Sequence, residues 1–277
     1  MDNNYNKYYS INKERWEHLA KHYSKGKYHK YEEFKNGGLS LHFVEREELG
    51  NVKDKKLLHL QCHFGLDTLS WARLGADVTG VDFSSTAIEA GRGLAQQYNI
   101  PAQFVESQLY ELPNTLDGKN QFDIVFTSYG VLSWLHDLPN WAKIINHFLK
   151  PGGEFYIVES HPMSWIFDDK ESYLNMLYDY FPVNGSPIEF NDDDYNYSEP
   201  DKVNHKIEYS WAHTLSDVIN SLISAGLTIT QVKEYPFATW KILPYCVNAT
   251  TNPDIWTLPD KFHRKIPLMF SIKAKKV

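Results

Sequence analysis

The sequence predicts an α/β fold, a doubly wound and mostly parallel sheet of seven strands with helices on both faces. Three observations support this prediction. Short apolar runs alternate with helical segments between residues 56 and 160. Gly75 and Gly226 stand where predicted helices end. The first strand, the first core helix and the second strand together have the size that a parallel crossover requires.

The predicted elements follow in order along the chain. The first strand is a short apolar run at residues 56–62, with the length and composition of a buried parallel strand. Ser84, Ser85 and Thr86 provide an N-cap for a helix that continues to Tyr98. The remaining strands are expected at residues 76–82, 102–105, 122–127, 153–159, 227–235 and 267–274, and the remaining helices at about 67–74, 139–149 and 215–225.

Four segments make up the predicted organisation. Residues 1–50, with helical spacing around 15–20, are expected to form an N-terminal helical lid. Residues 51–160 carry the core of the sheet. Residues 161–210 lose their periodicity and are rich in Pro, Asn, Asp and Tyr, which indicates a cap insertion after the fifth strand. Residues 211–277 are expected to complete the sheet.

Composition and charge argue against several classes of function. A net charge of −7 and a pI near 5.9, without a stripe of Lys and Arg, disfavour nucleic acid as a partner. No apolar run has the length of a membrane span and residues 1–20 lack a secretory signal, so we expect a cytoplasmic protein that does not associate with membranes. Cys62 and Cys246 are too few for a disulfide framework, and no clustered Cys/His spacing indicates a metal site.

A nucleotide-type site is predicted where the first strand turns into its helix. Backbone amides at a helix N-terminus favour a polar or anionic group, and Gly65 is expected to leave room there for a ligand. Asp82, at the carboxyl end of the second strand, is placed to accept hydrogen bonds from ribose hydroxyls. This geometry suits both NAD and S-adenosylmethionine (SAM). The turn has a single glycine, which disfavours the pyrophosphate of a dinucleotide.

Residues 58–65, 80–82, 122–125 and 149–153 resemble, in order and spacing, the successive motifs of class I SAM-dependent methyltransferases. The resemblance covers about residues 56–160. The stretch HLQCHFGLDTLSWARLGADVTGVDFS is also similar to a bacterial branch of methyltransferase-domain proteins of uncharacterised substrate. The resemblance implies a Rossmann-like methyltransferase fold with SAM as cofactor and S-adenosylhomocysteine (SAH) as product.

The first motif departs from the family pattern of an acidic residue followed by three alternate glycines. His59, Gln61 and His63 replace the acidic residue and the first two glycines. Gln108 stands where the family places an acidic residue near the adenine, and its amide oxygen can still accept from the adenine amino group. The cofactor contacts that the resemblance implies are Gln61, Cys62, His63, Gly65, Asp67, Asp82, Phe83, Gln108, Leu109 and Ser128.

Methyl transfer from a sulfonium is an in-line displacement, so the protein mainly aligns the acceptor and excludes water. A general base is required only when the nucleophile arrives protonated. His161 and Tyr129, which follow the fifth and fourth strands, are the candidates. The structural alternatives are a histidine that caps the turn before Pro162 and a tyrosine that only packs. Aromatic residues and one histidine are expected to line an acceptor pocket: Tyr28, Tyr31, Trp134, Trp165, Trp211 and His213.

Three functions remain open at this point. The first is methyl transfer to a small-molecule acceptor, which the aromatic-rich cap and the acidic pI favour. The second is a SAM-binding module without catalysis, which the altered glycine loop favours. The third is a nicotinamide-dependent oxidoreductase, which would also use Asp82 but should carry more glycine in the first turn.

Overall fold

The computed structural model describes residues 3–22, 30–168, 170–171, 173–182, 185–191 and 207–277. Its strands are β1 (Lys56–Leu60), β2 (Asp77–Asp82), β3 (Gln103–Glu106), β4 (Phe122–Thr127), β5 (Leu149–Ser160), β6 (Ile188–Asn191), β7 (Ile207–Ser210), β8 (Leu227–Tyr235), β9 (Phe237–Ala238), β10 (Val247–Asn248), β11 (Trp256–Thr257) and β12 (Met269–Lys276). Its α-helices are α1 (Asn3–His22), α2 (Tyr31–Lys35), α3 (Phe43–Leu49), α4 (Leu66–Arg73), α5 (Ser85–Gln97), α6 (Leu112–Thr115), α7 (Leu138–Phe148) and α8 (Leu215–Ser224).

The central sheet has seven strands in the order β3-β2-β1-β4-β5-β12-β8. The first five strands pair in parallel, whereas β12 is antiparallel to both β5 and β8. From β1 the chain adds strands towards β3 on one side, and from β4 it adds strands on the other side. The switch point of the sheet therefore lies between β1 and β4, and ligands of such sheets bind there, at the carboxyl ends of the strands. The predicted seven-stranded, mostly parallel sheet is confirmed.

Two faces of the sheet are covered because successive strand residues point in opposite directions. Leu58 of β1 packs with Trp141 of α7 and with α8 on one face. Leu57 packs with Trp71 of α4 and with α3 on the other face. Each of these four side chains is fully buried, and burying one leucine contributes about 2 kcal/mol of transfer free energy. This packing fixes the strand ends on which the site is built.

Helix α1 lies over the start of α5, beside the carboxyl end of β2. The carboxylate of Glu17 accepts hydrogen bonds from Ser85 N at 2.8 Å and from Thr86 N at 3.0 Å. Burial alone would raise the pKa of Glu17, but the hydrogen bonds from Thr86 and Ser85 outweigh it and lower that pKa. A carboxylate at a helix N-terminus also interacts favourably with the helix dipole. Glu17 therefore anchors α1 to the core.

The two remaining parts of the fold lie outside the central sheet. Strands β6 and β7 form an antiparallel pair within and beside the predicted insertion, and Asn12 of α1 exchanges hydrogen bonds of 2.8 and 2.9 Å with the backbone of Tyr209. Strands β9, β10 and β11 form a small sheet between β8 and β12 that the sequence pattern did not predict. Within the described residues, no helix is both long and apolar enough to cross a membrane.

Candidate functional site

The loop that follows β1 has the backbone shape of a glycine-rich turn although it holds one glycine. Gln61, His63 and Gly65 all have left-handed backbone conformations, with φ of 56°, 54° and 77°. Such a conformation costs a non-glycine residue about 1–2 kcal/mol. Cys62 N donates to Val81 O at 2.8 Å and ties the loop to the end of β2. Strain of this kind is concentrated at functional sites.

Side chains of the loop contact the segments on either side of it. Gln61 Nε2 donates to Val131 O at 3.1 Å, in the segment that follows β4. The ring of His63 packs against Trp16 of α1, with 4.9 Å between ring centroids. Burial lowers the pKa of His63 to about 3, so its ring is neutral. The loop is therefore joined to α1 through a neutral aromatic contact.

A cavity of about 60 Å³, here called the loop cavity, lies at the carboxyl ends of β1 and β4. It is lined by His59, Gln61, Cys62, His63, Phe64, Gly65, Leu66, Asp67, Ser128 and Tyr129. Six of these residues were predicted as cofactor contacts, and Tyr129 was predicted as a catalytic residue. The structure thus brings seven predicted site residues, from two strand ends distant in sequence, to one cavity.

One carboxyl group, that of Asp67, lines the loop cavity, and a second, that of Glu45, is hydrogen-bonded to the lining residue Tyr129. Asp67 Oδ1 accepts a hydrogen bond from Ser40 Oγ at 2.5 Å, and burial raises the pKa of Asp67 despite this bond. Glu45 of α3 accepts from Tyr129 Oη at 2.7 Å and from His42 N at 2.5 Å. Burial, together with the nearby charge of Asp67, raises the pKa of Glu45 to about 8. Glu45 is therefore neutral at pH 7.

Glu45 is a site residue that the sequence reasoning missed. The available signal was a glutamate three residues after His42, a spacing typical of a capping box at a helix start. That spacing predicts the local bond to His42 N but not the contact with Tyr129, which lies 84 residues away along the chain.

His59 stands where the family pattern places an acidic residue. Its Nδ1 lies 2.8 Å from Thr68 Oγ1, and its Nε2 lies 3.4 Å from Ser128 Oγ. Burial lowers the pKa of His59 to about 3, so the ring is neutral and links β1, α4 and the end of β4. Among the residues that the structure describes, no group of three His, Cys, Asp or Glu side chains is placed to hold a metal ion.

Asp82 ends β2 beside the loop. Its Oδ2 accepts from His63 N at 2.8 Å, and its Oδ1 accepts from Ser84 N at 3.0 Å. Burial raises the pKa of Asp82 to about 6, against the effect of these hydrogen bonds. Each carboxylate oxygen keeps a further lone pair that can accept a ribose hydroxyl. The next predicted contacts are at the neighbouring strand end, where half-buried Gln108 precedes a short 3₁₀ turn (Leu109–Glu111).

Comparisons with known proteins agree with this geometry. Residues 58–155 match the model of a methyltransferase domain family. Ubiquinone biosynthesis O-methyltransferase of Acinetobacter baumannii is 31% identical over 132 residues, which are 47% of this chain and 54% of that protein. Residues 58–155 therefore form a domain similar to those of SAM-dependent methyltransferases. An uncharacterized methyltransferase of Synechocystis sp. is 34% identical over 133 residues, 46% of this chain and 57% of that protein.

The chain spans about half the length of the curated relatives it matches. Its fold is similar to that of a SAM-dependent methyltransferase from Mesorhizobium loti, with a TM-score of 0.55 and 18% identity, over 84% of this chain and 96% of that one. It is also similar to geranyl diphosphate C-methyltransferase from Streptomyces coelicolor, with a TM-score of 0.53 and 15% identity, over 91% and 85% of the two chains. At these identities the similarity shows the fold alone.

Gly65 lines the loop cavity and is also required by packing against the sheet. A Cβ atom at this position would lie 2.3 Å from the ring of Phe104. Gly80 and Gly91 surround the same ring, where a Cβ would approach Phe104 to 2.9 and 3.0 Å. Three glycines therefore enclose one phenylalanine of β3, and the loop is held close to the sheet by this contact.

His161 is not among the residues that line the loop cavity. Its Nδ1 accepts from Met163 N at 3.0 Å, which caps the 3₁₀ turn Pro162–Ile166, and its Nε2 lies 3.0 Å from Glu234 Oε1. Burial lowers the pKa of His161 against the opposing charge of Glu234. The geometry therefore favours the capping alternative over a general base.

The residues predicted to line an acceptor pocket lie in separate places. Trp134 packs on Trp16 of α1 at 5.3 Å between ring centroids, beside the loop. Trp165 is 46% exposed. Tyr31 packs in the core beside α5, and Tyr28 lies outside the described residues. Of these four, Trp134 is the residue placed near the loop cavity.

A second, more open cavity of about 320 Å³ lies between α7 and α8. His213 lines that cavity, and its Nε2 lies 2.6 Å from Leu135 O. Trp211 is buried and packs against Tyr9 of α1 at 6.4 Å between ring centroids. Trp211 N also donates to Ser133 O, so both residues contact the segment after β4.

Glu159, at the end of β5, is a second residue that sequence reasoning missed. Its carboxylate accepts hydrogen bonds from Gly130 N at 2.6 Å, Val131 N at 2.8 Å and Ser160 N at 2.6 Å. These bonds hold the segment after β4, to which Gln61 is also tied. A charged residue at the end of an apolar run was the available signal.

Proposed function

We propose that the chain transfers a methyl group from SAM to a small-molecule acceptor. The loop cavity carries this proposal, because six predicted cofactor contacts and the candidate base Tyr129 line it together. The loop keeps the left-handed shape of the glycine-rich motif even at Gln61 and His63. This retained shape supports cofactor binding by an altered motif.

The residues present fit SAM at both ends of the site. Asp82 would accept the ribose hydroxyls, beside Phe83 and Gln108 for the adenine. Gln61 would accept from the methionine part, since its Oε1 is buried and has no hydrogen-bond partner in the described part of the chain. When bound, SAM supplies a methyl group already activated by its sulfonium. The protein then has to align the acceptor with that methyl group and exclude water.

Helix α1 acts as a lid in this proposal. Small-molecule sites usually have about 300–1,000 Å³, whereas the loop cavity has about 60 Å³ beneath Trp16. A cofactor of nucleoside size therefore requires α1 and its Trp16 contact to move. Return of α1 over the bound cofactor would exclude water from the reacting atoms.

A small acceptor is favoured over a macromolecule. The relatives named ubiquinone biosynthesis O-methyltransferase support an acceptor of low molecular weight, and the net charge of −7 disfavours nucleic acid. Both cysteines are buried free thiols, as expected of a protein in the reducing cytoplasm.

Calorimetric titration with SAM, SAH and NADH tests the proposal, with Asp82→Asn as the diagnostic variant. We expect the wild type to bind SAM and SAH but not NADH, and the variant to lose about tenfold in affinity because a charge-assisted acceptor is removed. Asp77→Asn, at the opposite and exposed end of β2, is the matched control and should bind as the wild type does. Binding of NADH alone, or of none of the three, would overturn the proposal. Formation of SAH with a panel of phenols, amines and carboxylates then identifies the acceptor.

A further inference from the structure

The cavity of about 320 Å³ between α7 and α8, here called the interhelix cavity, shares no lining residue with the loop cavity. Its volume lies within the range of about 300–1,000 Å³ that small-molecule sites usually have. Helix α1 reaches both cavities, through Trp16 on His63 of the loop and through Tyr9 on His136 of the interhelix cavity. Trp16 and Tyr9 are seven residues apart in α1, which is about 10 Å along a helix. The interhelix cavity is therefore a separate site.

The wall of the interhelix cavity offers hydrogen-bonding groups that the described part of the chain does not use. Ser221 of α8 lines the cavity and is 7% exposed, and its hydroxyl makes no hydrogen bond to another described residue. A serine within a helix can otherwise bond to the carbonyl four residues earlier. Asn220 and Ser224 line the same wall, also without side-chain hydrogen bonds to described residues. A nearly buried hydroxyl without a partner is unfavourable, so this wall is suited to a ligand with several hydrogen-bonding groups.

The charge of the interhelix cavity selects against anions. Asp217 lines it, and Oδ2 of this residue accepts from Thr214 N at 2.9 Å and from Thr214 Oγ1 at 2.7 Å, which leaves Oδ1 for a ligand. Burial lowers the pKa of His136 and the pKa of His213, so neither ring adds a positive charge at neutral pH. None of the described residues that line the cavity is a lysine or an arginine. The cavity therefore favours a cationic or neutral ligand.

We propose that the interhelix cavity binds a small hydroxylated amine of about the size of a monosaccharide. Its ammonium group would meet Oδ1 of Asp217, and its hydroxyl groups would exchange hydrogen bonds with Asn220 and Ser221. Leu138 and Pro139 of α7 supply an apolar surface for its carbon skeleton. Binding at this site does not depend on the proposed function.

His136 joins the interhelix cavity to α1. Its ring lines the cavity and is stacked on Tyr5, with 4.1 Å between ring centroids, and its Nδ1 lies 2.6 Å from Tyr9 Oη. A ligand beside this ring restricts its movement and holds it against both tyrosines. Occupancy should therefore keep α1 in place and slow the entry of a cofactor beneath Trp16. This coupling, unlike the binding itself, rests on the proposed function.

Three monosaccharides of the same ring size and different charge test the site: glucosamine, glucose and glucuronate, each titrated at pH 6.5. Their binding is followed by NMR through the ring protons of His136 and His213. We expect saturable shifts of both histidines with glucosamine and about threefold weaker binding of glucose, since an ion pair near the surface adds little more than this. Glucuronate should not bind. The absence of a saturable shift with glucosamine, or equal binding of all three, would overturn the proposal.

Two variants locate the binding. Asp217→Asn keeps an oxygen for the N–H of Thr214 and should bind glucosamine and glucose equally. Ser224→Trp, at an exposed position, should fill the cavity and abolish the binding of both sugars, whereas Ile223→Trp, at an exposed position outside the cavity, should bind as the wild type does. An unchanged preference in Asp217→Asn, or unchanged binding by Ser224→Trp, would contradict the assignment. Thermal unfolding establishes that each variant is folded.

Stopped-flow mixing with SAH tests the coupling to α1. SAH should associate with the wild type about twofold more slowly at saturating glucosamine, and glucosamine should leave the rate with Ser224→Trp unchanged. An unchanged rate in the wild type would overturn the coupling alone. Failure of the wild type to bind SAH at all would overturn the proposed function and the coupling together, whereas the NMR titration decides the site by itself.

Discussion

Replacing Glu45 by Gln should stabilise the protein at neutral pH, because it removes an ionisable carboxyl group that is buried and neutral in the folded chain. Gln has nearly the same shape, and its oxygen can accept from His42 N while its amide donates to Tyr129 Oη. Gln therefore reproduces the neutral form of Glu45. The variant keeps the contacts and removes the proton equilibrium.

The pKa of Glu45 determines the size and sign of the effect. In the folded protein this pKa is about 8, above the ordinary value of 4.5. The stabilisation that the neutral carboxyl allows is therefore complete below pH 4.5 and is lost as pH rises through 8. At 1.36 kcal/mol for each pKa unit, the wild type should lose about 2–3 kcal/mol from this group between pH 5 and pH 7. Water penetration would reduce that loss to about half.

Urea unfolding at pH 5, 6, 7 and 8 measures the effect. The free energy of unfolding of Glu45→Gln should equal that of wild type near pH 5 and exceed it by about 1–3 kcal/mol at pH 7. Glu47→Gln, on the exposed side of α3, should follow the wild type at every pH. The reasoning would be refuted if Glu45→Gln and wild type had parallel pH profiles, because the carboxyl would then titrate alike in the folded and unfolded chains.

Three further predictions concern packing, the lid and the segment after β4. Gly65→Ala should lower the free energy of unfolding by about 2–4 kcal/mol, because its Cβ meets Phe104; Gly93→Ala, in open space on α5, should raise it by up to about 1 kcal/mol in the same urea assay. Trp16→Ala should increase the association rate of SAH about threefold in stopped-flow mixing, because α1 loses its contact over the loop; an unchanged rate would contradict the lid. Glu159→Gln should destabilise by about 1–3 kcal/mol, since its amide NH₂ would oppose backbone donors, and a loss below about 0.5 kcal/mol would contradict that role.

The central sheet could be predicted because its strands are apolar and its helices end at glycine or proline signals. The positions of the strand ends were predicted less accurately. The first strand was expected to reach residue 62 but ends at Leu60, because Gln61 turns into the left-handed region. The fifth strand begins at Leu149 and not at residue 153, because it already pairs there with Phe122. The sheet of β9, β10 and β11 has two-residue strands, which are too short to leave a periodic pattern.

The cofactor side of the site was predictable because parallel strands deliver their carboxyl ends to one edge. The carboxylates that hold the site together could not be predicted from the sequence. Their main hydrogen bonds join them to backbone N–H groups or hydroxyls more than 25 residues away along the chain, as seen for Glu17, Glu45 and Glu159. The spacing of glutamates in the sequence does not predict such distant partners. His161 was chosen as a base from its strand end, but that position equally suits an N-cap before Pro162, which is the role the geometry favours.

The altered loop also bears on whether the chain is a degenerate relative of active enzymes. Gln61 and His63 hold left-handed conformations that glycine would adopt more easily, at about 1–2 kcal/mol each. Gln61 uses its side chain to bind the segment after β4, and His63 packs on Trp16 of α1. Both replacements therefore connect the loop to neighbouring parts of the fold, and His63 connects it to the proposed lid. A loop that no longer binds a cofactor could relax this strain at little cost to the core. This loop keeps the strain, and the Oε1 of Gln61 in its cavity has no hydrogen-bond partner among the described residues. Both observations argue for a working cofactor site.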